Sequence, residues 1–217
     1  MITGAEIRSS FLEFFRERDF VGPLITNFAM QFAYMGGFVI SPLAMMGPFG
    51  LGQAATSMWT IARPVSLSAM SPVGGTLGAR FGERALILSG ALFVLVGMLA
   101  FALGAGIDQL AAIIAGLILC GMGMGLAQPS LSTVVASSVG EQDHGIAVST
   151  MSTTAGIGAV AGVSILTALC ADVESPSAFR DGYLLGAAFA ALGVVAAGWI
   201  ASSDPDERGA PDRARGA

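Results

Sequence analysis

The chain has 217 residues, 54% of them hydrophobic and 12% charged, and its mean hydropathy is +0.75. A soluble domain carries roughly a quarter charged residues, so this balance points to a membrane protein. The net charge of -5 and the lack of any basic stripe argue against a nucleic-acid partner, which needs clustered cations to meet phosphates.

In chain order, residues 1–20 come first, crowded with Glu6, Arg8, Glu13, Arg16, Glu17, Arg18 and Asp19. A secretory leader needs a short basic start and an apolar run, so this segment does not read as one. Ile7, Phe11, Phe14 and Phe15 share one helical face, which predicts a cytoplasmic interfacial helix; a solvated linker is the alternative.

Residues 21–201 hold six apolar stretches of about twenty residues, the length a bilayer core of about 30 Å demands of a helix. They lie near Val21 to Met45, Leu51 to Gly74, Ala85 to Ala105, Gln109 to Val135, Ile146 to Cys170 and Gly182 to Ala201. The predicted class is therefore all-α, a polytopic bundle of six transmembrane helices, with residues 202–217 as a disordered cytoplasmic tail. In the first span Asn27, Gln31, Tyr34 and Ser41 share a face. Amides in hydrocarbon need partners or water, so that face lines a cavity or bonds to neighbouring helices. In the second span Thr56, Trp59, Thr60 and Arg63 share a face, and Pro64 cannot donate to the carbonyl of Thr60, which predicts a kink. Arg63 falls near the centre of the core, where an arginine costs about 2.5 to 3.5 kcal/mol.

"SPVGGTLGARFGERALILSG", Ser71 to Gly90, bridges the second and third spans, with Gly82 placed to form a tight turn. The third and sixth spans carry almost no polar side chains in their cores. The fourth, "GMGMGLAQPSLSTVV", contains Gly121, Gly125 and Gln128. Its glycines invite a nucleotide-binding reading, but that fingerprint needs a preceding strand and a phosphate in water. His144 beside Asp143 reads as a solvated loop residue. The fifth span aligns Ser149, Ser152, Thr153 and Gly156 on one face, and Gly158 and Gly162, four apart, form a close-packing pair. Cys120 and Cys170 lack metal-ligand spacing and read as packing residues. No metal or cofactor is expected.

Counting arginines in the flanks orients the chain, because basic residues are retained on the cytoplasmic side. The N-terminal segment, the loop of Arg80 and Arg84 and the C-terminal tail hold eight of the ten basic residues, against Arg180 alone on the other side. Both termini should face the cytoplasm, in a multi-pass arrangement in the inner membrane.

The segment from Ser71 to Gly90 resembles the signature of major facilitator superfamily transporters between the second and third helices of each half. Pro72, Gly75, Leu77, Arg80, Gly82 and Arg84 stand in matching places, whereas Ala79 occupies the place of the usual Asp and Glu83 a place usually basic. Gly121 to Val135 and His144 to Ile165 resemble the penultimate helix pair of the fourteen-helix drug:proton antiporters of that superfamily.

The resemblance implies the C-terminal six-helix half of an efflux antiporter, a membrane transporter and not an enzyme. Such a half would move small amphipathic or hydrophobic solutes by alternating access. It also implies that the first, second, fourth and fifth helices face the pathway, through Asn27, Gln31, Tyr34, Trp59, Thr60, Arg63, Gln128, Ser149, Ser152 and Thr153. A midplane site needs two six-helix halves. The expected partner is an N-terminal half, on a separate chain or lost by truncation, unless two copies pair. No Asp or Glu lies within a span, so proton coupling is expected from that missing half. Arg63 would meet one of its carboxylates or an anionic group of the solute. A transport-inactive scaffolding protein is the alternative. An intramembrane protease is argued against because no span holds a histidine or acid.

Overall fold

The computed structural model describes residues 18–140, 143–171 and 175–200. The expected interfacial segment falls almost wholly outside the described residues, and the tail does so entirely. Seven helices occur among the described residues: α1 (Arg18–Met46), α2 (Gln53–Thr60), α3 (Ala62–Phe81), α4 (Glu83–Gly106), α5 (Leu110–Ser137), α6 (His144–Leu169) and α7 (Pro176–Trp199). α2 and α3 together form the second of six membrane-spanning segments. The other five are each long and apolar enough to cross a bilayer.

The second segment departs most from a single straight span. It breaks at Ile61, between Thr60 and Ala62, three residues before Pro64. Proline supplies no N–H for the carbonyl of Thr60 and its ring crowds that carbonyl, so the turn above it opens. The same segment outlasts its apolar run, which stops at Gly74 while α3 continues to Phe81. Gly75 and Leu77, which lie beyond the predicted span, are therefore helical, as is Pro72 within it, and the connection to α4 shrinks to Gly82. Hydropathy marks where lipid begins; the backbone can keep its i to i-4 bonds beyond that point.

At Gly82 the chain reverses with φ +87° and ψ 141°, and its N–H bonds to the carbonyl of Gly78. A side chain is strained in that region by about 1–3 kcal/mol. Gly82→Val should therefore lower stability in detergent by about that amount, read as the thermal midpoint of the purified protein. An unchanged midpoint would mean that the turn relaxes without cost.

Helix contacts follow the glycines. A Cβ at Gly158 would lie 2.5 Å from the carbonyl oxygen of Phe28, and one at Gly162 would collide with the carbonyl oxygen of Phe32, so α6 rests directly on the backbone of α1. On the other side of the bundle a Cβ at Gly125 would lie 2.6 Å from the carbonyl oxygen of Leu67, and Gly121 abuts the backbone of Arg63, seating α5 on α3. Small residues permit this approach, and close packing replaces the hydrophobic drive that lipid removes.

α4 packs on α5 and α7, and α1 on α6 and α7. Phe32 stacks on Phe189 with ring centroids 3.8 Å apart, and Phe101 on Tyr183 at 4.9 Å, which ties α7 to α1 and α4. The outer face of α4 exposes Leu88, Leu92, Val96, Leu99 and Leu103, and that of α7 exposes Leu184, Leu192 and Val195, as lipid-facing surfaces do. Both cysteines are free and buried. Cys170, just past α6, sits against Gly182 and packs there.

Candidate functional site

Halfway along the bundle, α1 and α3 bring together the most unusual side chains of the chain. The bend at Ile61 delivers Arg63, at the start of α3, onto the middle of α1. Its guanidinium is 0% exposed, the largest fully buried side chain among the described residues. It lies over the ring of Tyr34, with Cζ 3.6 Å from the ring centroid, and 5.2 Å from that of Phe38. Nη2 donates to the backbone carbonyl of Tyr34. Nε and Nη1 have no acceptor among the described residues. Ring faces attract the cation but leave those N–H groups unbonded.

One turn along α1 from Tyr34, Gln31 is half-buried with its Oε1 enclosed and unpartnered, and Thr56 of α2 holds an enclosed, unpartnered hydroxyl two turns before Arg63. Gly121 of α5 closes the far side, against the backbone of Arg63 and the side chain of Ser66.

A second polar cluster joins α1, α5 and α6. Asn27, 1% exposed, donates from Nδ2 to the carbonyl of Met151 at 3.1 Å and accepts from Nε2 of Gln128 at 3.3 Å. Asn27 thus holds three helices together instead of presenting its amide to an open space. Ser41 is likewise enclosed; it donates to the carbonyl of Gly37 and accepts from the hydroxyl of Tyr183 at 3.3 Å.

The remaining pathway candidates are exposed, apart from Thr60. Trp59 is 44% exposed, and Thr60 is half-buried with its hydroxyl bonded to Thr56. Ser149, Ser152 and Thr153 are exposed on α6, and the hydroxyls of Ser149 and Thr153 bond back to the carbonyls of Ile146 and Ser149. Gly156, on the same face, has nothing within 4 Å of its Cβ position.

Sequence reasoning missed Phe38, Met151 and Tyr183. Phe38 stands one turn beyond Tyr34 on α1, a spacing that was available to read. The carbonyl of Met151 and the Tyr183 to Ser41 bond depend on tertiary packing and carry no local signal. Among the described residues no group of His, Cys, Asp and Glu could hold a metal ion, and His144 is an exposed residue opening α6.

At the end of the bundle that carries Gly82, Arg84 of α4 donates to the carbonyl of Gly198, in the last turn of α7. A cation there answers the carbonyls that a helix end leaves unbonded. Arg84→Ala should lower stability by about 1.5 kcal/mol, the low end for a charged hydrogen bond. Arg80, which is exposed, should tolerate the same change. Equal midpoints for the two variants would discount the Arg84 tie.

Comparison with known proteins places this arrangement. The Multidrug resistance protein Stp of Mycobacterium tuberculosis is 26% identical over 160 residues, which is 74% of this chain and 30% of that protein. The Multidrug transporter protein MdtP of Bacillus subtilis is 27% identical over 158 residues, 71% of this chain and 29% of that protein. The chain thus spans about 30% of the length of these relatives. Among solved structures, a POT family transporter in complex with 5-aminolevulinic acid superposes with a TM-score of 0.74 at 21% identity, over 82% of this chain and 37% of that one. A peptide transporter POT in complex with sulfate gives 0.70 at 22% identity, over 82% and 36%. These two likenesses establish the fold, six membrane-spanning segments arranged as in part of a longer chain. The Major Facilitator Superfamily profile matches residues 24–217, and with six membrane-spanning segments packed in that fold, the chain belongs to this family of transporters, which are not enzymes.

Proposed function

We propose that this chain acts as the C-terminal half of a drug-efflux-like secondary transporter. It moves small amphipathic or hydrophobic solutes by alternating access against a second, N-terminal six-helix unit. One observation carries the reading: beside exposed Ile157 and Val160, the open surface of α6 carries a stripe of small residues, Ser149, Ser152, Thr153 and Gly156, all exposed on a membrane-spanning helix. Lipid alone would favour larger apolar side chains there, whereas a neighbouring helix and a wet pathway both suit small polar ones. The arginine count supports an orientation with the Gly82 end and both termini in the cytoplasm of a cell whose inner membrane holds the protein.

The coupling ion is handled by the second unit. Among the described helices acids stand only near the ends: Asp19 in α1, Glu83 opening α4 and Asp181 early in α7. None is placed to take and release a proton at the midplane.

In proteoliposomes with an imposed pH gradient, the chain alone should fail to accumulate fluorescent amphipathic dyes of either charge, and co-reconstitution with an N-terminal six-helix unit should restore accumulation. Uphill transport by the chain alone would overturn the coupling assignment. No transport with any such unit would favour a scaffolding role.

A further inference from the structure

The charge balance around the midplane is one-sided. Arg63 is a fully enclosed cation whose Nε and Nη1 lack acceptors among the described residues, and no carboxylate of the described helices lies near its depth. An enclosed guanidinium at that depth is costly and marks a site. Its planar set of donors suits a carboxylate better than any neutral acceptor. Tyr34 and Phe38 add aromatic walls directly beside it, and Phe38 is 38% exposed, so the wall continues to the helix surface.

We propose that Arg63 is the anion-binding group of this transporter, and that its solute is an amphipathic organic anion. The carboxylate docks on Nε and Nη1 while the apolar body lies along Tyr34 and Phe38. This rests on the transport reading above and selects among its solutes, because a cation would meet only repulsion at Arg63.

The second segment is jointed next to Arg63. α2 and α3 are separate helices meeting at Ile61, and α5 holds α3 at Gly121 and Gly125 while the residues of α2 other than Thr56 stay largely exposed. α2 can therefore move about Ile61 without dislodging α3, while the groups that cover the guanidinium are Tyr34 and Phe38 of α1, so a solute reaches it where α1 and α3 part. Proline at position 64 lowers the resistance to that movement, since the hydrogen bond it would break is already missing.

The test titrates the full chain in phosphatidylcholine nanodiscs with dansylaminoundecanoate and with its uncharged primary amide. The protein should bind the carboxylate about tenfold more tightly than the amide, as a charge-assisted contact requires. Arg63→Gln should bind both probes alike, and Arg63→Lys should retain part of the preference. Arg63→Met carries the same expectation as Arg63→Gln if the latter fails to fold. Equal binding of the two probes by the unaltered chain, or a preference that survives Arg63→Gln, overturns the anion assignment and leaves the transport reading standing. Binding of neither probe overturns the anion assignment and leaves the transport reading standing, since that reading needs a second six-helix unit. Complete displacement of the carboxylate probe by millimolar sodium chloride would assign the site to an inorganic anion and overturn the solute assignment.

Discussion

Gly162→Leu should detach α6 from α1 and destabilise the bundle by about 3 kcal/mol or more, at or above the top of the usual range for overpacking. The cost is high because nothing flexible can yield. A Cβ at Gly162 meets the carbonyl oxygen of Phe32, with the carbonyl carbon and Cα of that residue 2.8 Å away, all of it helix backbone. The reciprocal contact is also closed, since a Cβ at Gly36 would lie 2.9 Å from the carbonyl oxygen of Gly162. Separating the helices by the width of a side chain would also break the bond from Asn27 to Met151 and strand a buried amide. Unfolding in mixed micelles of increasing sodium dodecyl sulfate measures the loss, with Gly156→Leu as the matched control. Gly156 lies on the same helix with open space around it, so its replacement should be silent in this chain alone. In a complex with a second six-helix unit the same control should weaken pairing. Equal midpoints for Gly162→Leu and the unaltered chain would refute the close contact.

The sequence made the spans legible and left their contacts hidden, for a physical reason. Apolar runs report where lipid or core surrounds the chain, so six segments could be placed to within a few residues at most ends. The exceptions are α3, which runs on to Phe81, and α7, which begins at Pro176, well before the apolar run at Gly182. In both, polar helix projects beyond the hydrocarbon, where hydropathy has nothing to say about backbone geometry. Proline was an equally partial guide. Pro64 accompanies a break, whereas Pro23 and Pro42 in α1, Pro72 in α3 and Pro129 in α5 lie inside helices that continue. The lost hydrogen bond is common to all five, so the outcome depends on whether neighbouring helices hold the turn straight. Pro72, for instance, lies in the part of α3 where Gly74 brings the backbone against α5, and a Cβ there would lie 2.8 Å from the carbonyl oxygen of Gly125.

The candidate site shows the same division. Helical spacing put Tyr34 and Arg63 each on a polar face of its own span, and nothing local could say that the guanidinium would lie on the ring. Asn27 and Gln128 were each marked as polar residues in a span, but their bond joins positions 101 residues apart. Periodicity decides which side of a helix is polar. Whether that side meets a pathway or another helix depends on the packing of all six.

Arg63→Met should improve membrane insertion of the second segment by about 2.5 to 3.5 kcal/mol, the central cost of an arginine on insertion scales. This segment is the weakest of the six. α3 is the only long helix among the described residues that is not apolar enough by itself to count as a span, and α2 is only 8 residues long. A glycosylation-mapping assay on residues 51–81 in a carrier protein reads the change as a larger fully inserted fraction; Arg63→Lys, which keeps the charge, should give no gain. The folded chain separates charge from shape. Methionine keeps much of the length over Tyr34 and removes a charge that no carboxylate of the described helices offsets, so stability should hold or rise, as when buried ionic groups give way to apolar ones of similar volume. Arg63→Ala should insert equally well yet fold less stably by about 2 kcal/mol or more, because it leaves a cavity between α1 and α3. Insertion that does not improve in Arg63→Met would mean that the arginine already escapes the hydrocarbon while the chain enters the bilayer. Improved insertion with undiminished folding identifies Arg63 as a residue kept against the interests of stability, which is the position a charge holds when its purpose is to meet a ligand.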